Sequence, residues 1–125
     1  MEVRVMKFYC EVLIQGVATA ENEADSIEEA DEIIDQIKSV RPATYTPDRA
    51  FCDDILKSGD NVAVSQMIKL LRNMRKENRK NHKGLNIQEE RILKDAERVF
   101  FSEMATAYDI SMEEVVSRYG EILDA

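Results

Sequence analysis

Hydrophobic spacing along the chain changes character near residue 20. Upstream, "VRVMKFYCEVLIQGVATAE" is rich in valine and aromatics, and Val3, Val5, Lys7 and Tyr9 alternate with Arg4, Met6, Phe8 and Cys10. That texture predicts a β-hairpin or a pair of short strands, with Gly16 at a turn or bulge. Downstream the period becomes helical. In "ENEADSIEEADEIIDQIKSV", Ile27, Ala30, Ile34 and Ile37 share one face, and Ser26 with Glu29 has the form of a capping box. The acidic residues Asp25, Glu28, Asp31, Glu32 and Asp35 read as the solvated face of that helix, and no tight loop is present to turn them into a metal site.

"RPATYTPDRAF" interrupts the pattern. Both prolines of the chain, Pro42 and Pro47, lie here, and each pushes its predecessor out of the α region, so an extended linker is expected. A short helix over 47–57 follows and ends at Ser58-Gly59. Asp60 is placed to cap a long helix whose apolar stripe is Val64, Met67, Ile68, Leu71 and Met74, closed by Lys83-Gly84. Asn86 with Glu89 opens another helix, with Ile92, Leu93, Ala96, Val99, Phe100 and Met104 inward. Ser111 with Glu114 opens the last, with Ile110 and Val115 at staple spacing. The expectation is a mainly α protein: a strand-strand-helix module over 1–41, then a compact bundle of four helices over 42–125.

Charge sharpens this picture at one place. The chain carries a formal net charge of −8, yet residues 69–83 hold seven basic side chains against one acidic. Residues 1–68 hold six basic and fourteen acidic, and residues 84–125 hold four and ten. A basic run of this kind serves either as a solvated helix face or as a surface for a polyanion. No apolar run is long enough to span a bilayer, and the charged N-terminus lacks the apolar stretch of a secretory signal. Cys10 and Cys52 have no metal-like spacing and suit reduced thiols in a cytoplasmic protein.

Catalytic chemistry is hard to find. The one histidine, His82, lies among lysines, and no glycine-rich phosphate loop, nucleophile elbow or Cys/His pairing occurs. Ser26, Ser58 and Ser111 are accounted for by capping and turn roles. No enzyme activity, cofactor or metal is expected.

A distributed pattern carries a resemblance. Leu56 to Asp60 (Leu-x-Ser-Gly-Asp), an apolar helix bearing basic residues, Gly84-Leu85, Glu89-x-Arg91-x-Leu93-x-x-Ala96 and Ser102-Glu103-x-Ala105 together resemble the C-terminal helical domain of the CarD family of bacterial transcription regulators, over residues 45–116. The resemblance implies a helical domain that contacts double-stranded promoter DNA and an N-terminal Tudor-like β domain that binds RNA polymerase. It also implies an aromatic wedge thirteen residues before the serine of Ser-Gly-Asp, which is Tyr45 here. Two readings of Tyr45 stay open, a minor-groove wedge on a stiff linker or a packing residue that anchors it.

The departures are specific. The chain has no tryptophan, Asp48 and Ala50 stand where the family carries basic residues beside Arg49, and Glu90 precedes Arg91 where a lysine is common. Fewer residues precede the acidic helix than a complete Tudor-like domain needs. Expected DNA contacts are therefore Tyr45, Arg49, Lys69, Arg72, Arg75, Lys76, Arg79, Lys80, Lys83 and Arg91. The N-terminal module is expected to meet a protein partner, RNA polymerase among the candidates, and its open strand edges offer a route to a homodimer. The alternative is an interaction adaptor that keeps the helical fold without binding DNA.

Overall fold

The computed structural model describes residues 20–124, with side chains from Ser26 onward, so the expected N-terminal hairpin and its edge pairing lie outside the described residues. Among the described residues the chain forms five α-helices and one 3-10 turn, and no strand. These are α1 (Ala20–Ser39), α2 (Arg49–Ser58), α3 (Asn61–Arg79), α4 (Ile87–Tyr108), α5 (Met112–Tyr119) and the turn Gly120–Leu123. None of these helices is long and apolar enough to cross a membrane.

Helix α1 starts six residues before the expected cap at Ser26. The upstream sequence "AENEAD" consists largely of strong helix formers with acidic residues suited to a helix N-terminus, so the helix propagates through Ser26. Its inward face also differs from expectation. Ala30, Ile33, Ile34 and Ile37 are buried, whereas Ile27 is 40% exposed. The four buried residues enter the same hydrophobic cluster as α3 and α4, so the acidic helix is built into the bundle core.

The central pair is α3 and α4. Val64, Met67, Ile68 and Leu71 from α3 meet Ile92, Leu93, Ala96, Phe100 and Met104 from α4, and all are buried. Phe101 joins them, edge-on to Phe100 with ring centroids 5.7 Å apart. Val99 and Met74, expected inside, are only partly buried. Burial of each such large apolar side chain contributes roughly 1.5–3 kcal/mol against the entropy of ordering the chain.

Local capping chemistry sets most helix ends. Asp48 caps α2 by accepting from the Ala50 and Phe51 amides, and Asp60 caps α3 through Val62 and Ala63. The capping box of Asn86 and Glu89 is complete, and Ser111 accepts from the Glu114 amide. Gly59 takes φ 69°, the left-handed conformation that a glycine reaches without a Cβ penalty.

The end of α3 is a correction. The helix stops at Arg79, and the left-handed residue is His82 (φ 58°) instead of a closure at Lys83-Gly84. The His82 amide donates to the Arg79 carbonyl at 3.0 Å and the Lys83 amide to that of Asn78 at 2.9 Å, the bond pattern of a Schellman closure with histidine in the glycine position.

Two long-range contacts seat the linker. The Ala43 amide donates to the Gln66 carbonyl at 3.1 Å, which lays the proline-flanked segment along α3. Lys69 is 3% exposed, and its Nζ donates to the carbonyls of Ile37 at 2.6 Å and Val40 at 2.8 Å. A cation is thereby held against the negative end of the α1 dipole, satisfying carbonyls that the helix itself leaves open. Burial pulls the Lys69 pKa down, while the two oxygens favour the ammonium form.

Tyr45 packs. Its ring sits edge-on to Phe51 with centroids 4.8 Å apart and against the core cluster. Its hydroxyl is enclosed and has no hydrogen-bond partner among the described residues. Burial, with a smaller contribution from the nearby buried Cys52, pushes its pKa up to about 12.

Three outcomes follow for stability. Lys69→Met leaves the Val40 carbonyl without its donor and the Ile37 carbonyl with the Val40 amide alone, and urea denaturation should show a loss of about 2 kcal/mol. His82→Gly relieves a left-handed conformation that costs a non-glycine residue roughly 1 kcal/mol, so the melting temperature should rise. Tyr45→Phe removes an unpartnered hydroxyl and should lie within about 1 kcal/mol of the parent or above it. The raised folded-state pKa of Tyr45 makes its protonated form a source of stability below pH 10.0 that is lost as pH rises towards about 12. Denaturation curves across that window should fall less steeply for Tyr45→Phe.

Candidate nucleic-acid interface

The basic residues of α3 divide by helix face. Lys69 points inward and is consumed by the α1 carbonyls, so it leaves the set of expected contacts. Arg72 is also occupied. Its side chain is only 15% exposed, its Nε and Nη2 donate to Glu97 Oε2 on α4, and its Nη1 reaches the Gly120 carbonyl at 2.8 Å and Asp124 Oδ1 at 3.1 Å. One guanidinium thus joins α3, α4 and the C-terminal turn, using the planar fork that lysine lacks.

Beyond Arg72 the side chains of α3 reach solvent. Lys76, Arg79, Lys80 and Lys83 are exposed, and Arg75 is half-buried. Lys80 pairs with Glu77 at 3.1 Å, an exposed contact between neighbouring turns that contributes little. Lys83 lies in the closing loop and lines none of the grooves described next.

Three adjoining grooves carry most of the remaining expected residues. The first, about 470 Å³, runs between α3 and α4 and is lined by Arg75, Arg91 and Lys94 with Leu85, Ile87, Leu93, Glu90 and Glu97. The second, about 390 Å³, is lined by Arg72, Asn73, Arg75, Lys76, Arg79 and Asp124. The third, about 550 Å³, lies where α2 meets the start of α4 and is lined by Arg49, Arg91 and Lys94 with Ile87, Gln88 and Asp95. Arg75 belongs to the first two, while Arg91, Lys94 and Ile87 belong to the first and third. The grooves therefore join into one band in which Arg49, Arg75, Lys76, Arg79 and Arg91 come together.

Carboxylates interrupt the band, and most are engaged. Arg49 holds Asp53 on its own helix and Asp95 on α4, each at 3.2 Å, and Arg72 holds Glu97 and Asp124. Glu90 has no such partner among the described residues. Among those residues Arg75, Lys76, Arg79, Arg91 and Lys94 make no ion pair.

Tyr45 is partly buried, with its hydroxyl enclosed and its ring packed against Phe51 and the core. The large apolar residue that does stand out from the band is Ile87, 76% exposed at the first position of α4. The capping box immediately before it fixes its place in space.

The band contains two residues that the charge pattern alone did not single out, Lys94 and Ile87. A helical reading of α4 carries a signal for Lys94, since Arg91 and Lys94 are three apart while Ile92 and Leu93 turn inward. Nothing in the sequence marks Ile87 apart from other isoleucines. Asp48, read as the loss of a basic family position, is the N-cap of α2.

A family model described as the CarD C-terminal domain matches residues 50–119. No curated protein and no solved structure matches the chain. The match spans more than half of the sequence and runs from the first turn of α2 to the end of α5, which takes in all the helices that build the cationic band. The chain therefore belongs to the CarD family through its C-terminal helical domain.

Proposed function

We propose that this protein is a CarD-like, non-enzymatic transcription regulator whose helical domain contacts promoter DNA through the band formed by Arg49, Arg75, Lys76, Arg79, Arg91 and Lys94. The observation that carries the reading is the convergence of these cations from three helices onto adjoining grooves of a chain that is otherwise acidic. Cations without carboxylate partners are available to displace counterions from a phosphate backbone, the main source of affinity for DNA. Arg49 would serve mainly to hold α2 against α4, since both of its carboxylate partners are already in place.

The exposed Ile87 supports a second element of this reading. An apolar side chain on a rigid helix start, flanked by Arg91 and Lys94, has the character of a contact to an unstacked base step in a minor groove. In this chain it takes the role that the resemblance alone would assign to Tyr45.

A protein partner, RNA polymerase among the candidates, belongs to the same proposal. Met112 and Val116 lie one turn apart on α5 and are both exposed, an apolar strip that lines none of the three grooves. The same strip favours the second reading, an adaptor that retains the fold and contacts proteins alone.

DNA binding at low salt separates the two. Titration of a forked, promoter-like duplex should show affinity that falls steeply with salt. The triple variant Arg75→Ala, Arg79→Ala, Arg91→Ala should weaken binding at least tenfold and flatten the salt slope by roughly one per phosphate contact removed. Equal affinity in parent and triple variant would remove the DNA reading and leave the adaptor.

A further inference from the structure

In the second groove a single carboxylate occupies part of a surface that is otherwise cationic. Arg72, Arg75, Lys76 and Arg79 recur at one helix face of α3, and Asp124 is the single carboxylate among them. Arg72 forms the floor, its orientation set by Glu97 and the Gly120 carbonyl. Its remaining contact is to Asp124 Oδ1 at 3.1 Å, an ion pair whose acidic side chain is 64% exposed.

Asp124 is brought there by design of the fold. The preceding Leu123 is fully buried, which anchors the 3-10 turn and sets the carboxylate at the mouth of the groove. The innermost guanidinium thus already carries two carboxylates, Glu97, which does not line this groove, and Asp124, which does. Arg75, Lys76 and Arg79 have no ion-pair partner among the described residues, so the groove retains positive charge that one carboxylate does not offset.

We propose that this groove binds the oligophosphate group of a small molecule, such as the phosphate tail of a nucleotide. Arg72 contacts it from the floor, Arg75, Lys76 and Arg79 close on it from one wall, and Asp124 is the internal anion that it displaces. Guanidinium groups suit phosphate oxygens because the planar fork donates two hydrogen bonds at once. Several unpaired cations in one groove favour a ligand with several adjoining negative charges over a single phosphate. A volume of about 390 Å³ lies within the roughly 300–1,000 Å³ typical of small-molecule sites.

This inference goes beyond the DNA reading; the two share Arg75, Lys76 and Arg79, whereas Arg91 and Lys94 take no part in the groove. Backbone phosphates of nucleic acid carry the same chemistry, so the test has an arm for each source. The probe is inorganic tripolyphosphate, titrated calorimetrically into the full chain at low salt, beside the same titration with duplex DNA.

Tripolyphosphate should bind saturably with one site per chain. Asp124→Asn should tighten it roughly two- to fivefold, the range spanned by an exposed ion pair. Lys76→Ala with Arg79→Ala should weaken it at least tenfold with unchanged thermal melting, while Arg91→Ala with Lys94→Ala should leave it as it was. Absence of saturation in both parent and Asp124→Asn overturns the site, as does equal loss in the two double variants. DNA binding without tripolyphosphate binding overturns this inference alone, and the reverse result supports it while overturning the DNA reading.

Discussion

The ammonium of Lys69, buried against the carbonyls of Ile37 and Val40, is the constraint on which the remaining arrangement depends. Without it, the Val40 carbonyl at the end of α1 would lose its donor, and the linker that leaves Val40 would lose its starting direction. With it, α1 is bound to α3 by a charged contact as well as by the isoleucine face. The linker then runs along α3, secured by the Ala43–Gln66 bond, and delivers Tyr45 against Phe51 and Asp48 to the start of α2. A single lysine of a basic helix thus organises an acidic one.

Arg72 repeats the device one turn later. It ties α3 to α4 through Glu97 and to the C-terminal turn through Gly120 and Asp124. Helix α3 accordingly uses its first two cations inside the structure and presents the next ones outside. The transition is set by geometry: residues up to Leu71 lie in the bundle, and beyond Met74 the helix projects past it until the Schellman closure at His82. What began as one run of positive charge is two populations with different work. The interior pair maintains the angle between helices, and the exterior group lines grooves whose walls come from α4 and the C-terminal turn.

That division also explains how an acidic protein can present a cationic surface. Apart from Glu90, the acidic residues that line the band are drawn into pairs with Arg49 and Arg72, both of which also hold helices together. The neutralised pairs lower local repulsion towards a polyanion, and Arg75, Lys76, Arg79, Arg91 and Lys94 keep their charge unpaired. Screening by salt limits the reach of distant acidic faces to about one Debye length, roughly 8 Å at physiological ionic strength. The overall charge of −8 is therefore compatible with a local surface of opposite sign.

Much of the fold was legible in local sequence because its signals are local. Caps at Asp60, Asn86 and Ser111, the left-handed Gly59 and the apolar stripes of α3 and α4 each depend on residues within a turn or two of one another. The same locality led to the misplaced start of α1: a serine with a glutamate three residues on looks like a cap, and only upstream helix-forming sequence overrides it. The burial of Ile33 over Ile27, and the closure of α3 at a histidine, were likewise decided by where the partner surfaces end. For the candidate interface, the sequence by itself determined that a concentrated positive charge exists and that it rides on a helix. Only the tertiary structure decided which cations are free. Whether Lys69 meets a carbonyl thirty-two residues away, or Arg72 a carboxylate on another helix, depends on packing that no short-range pattern encodes.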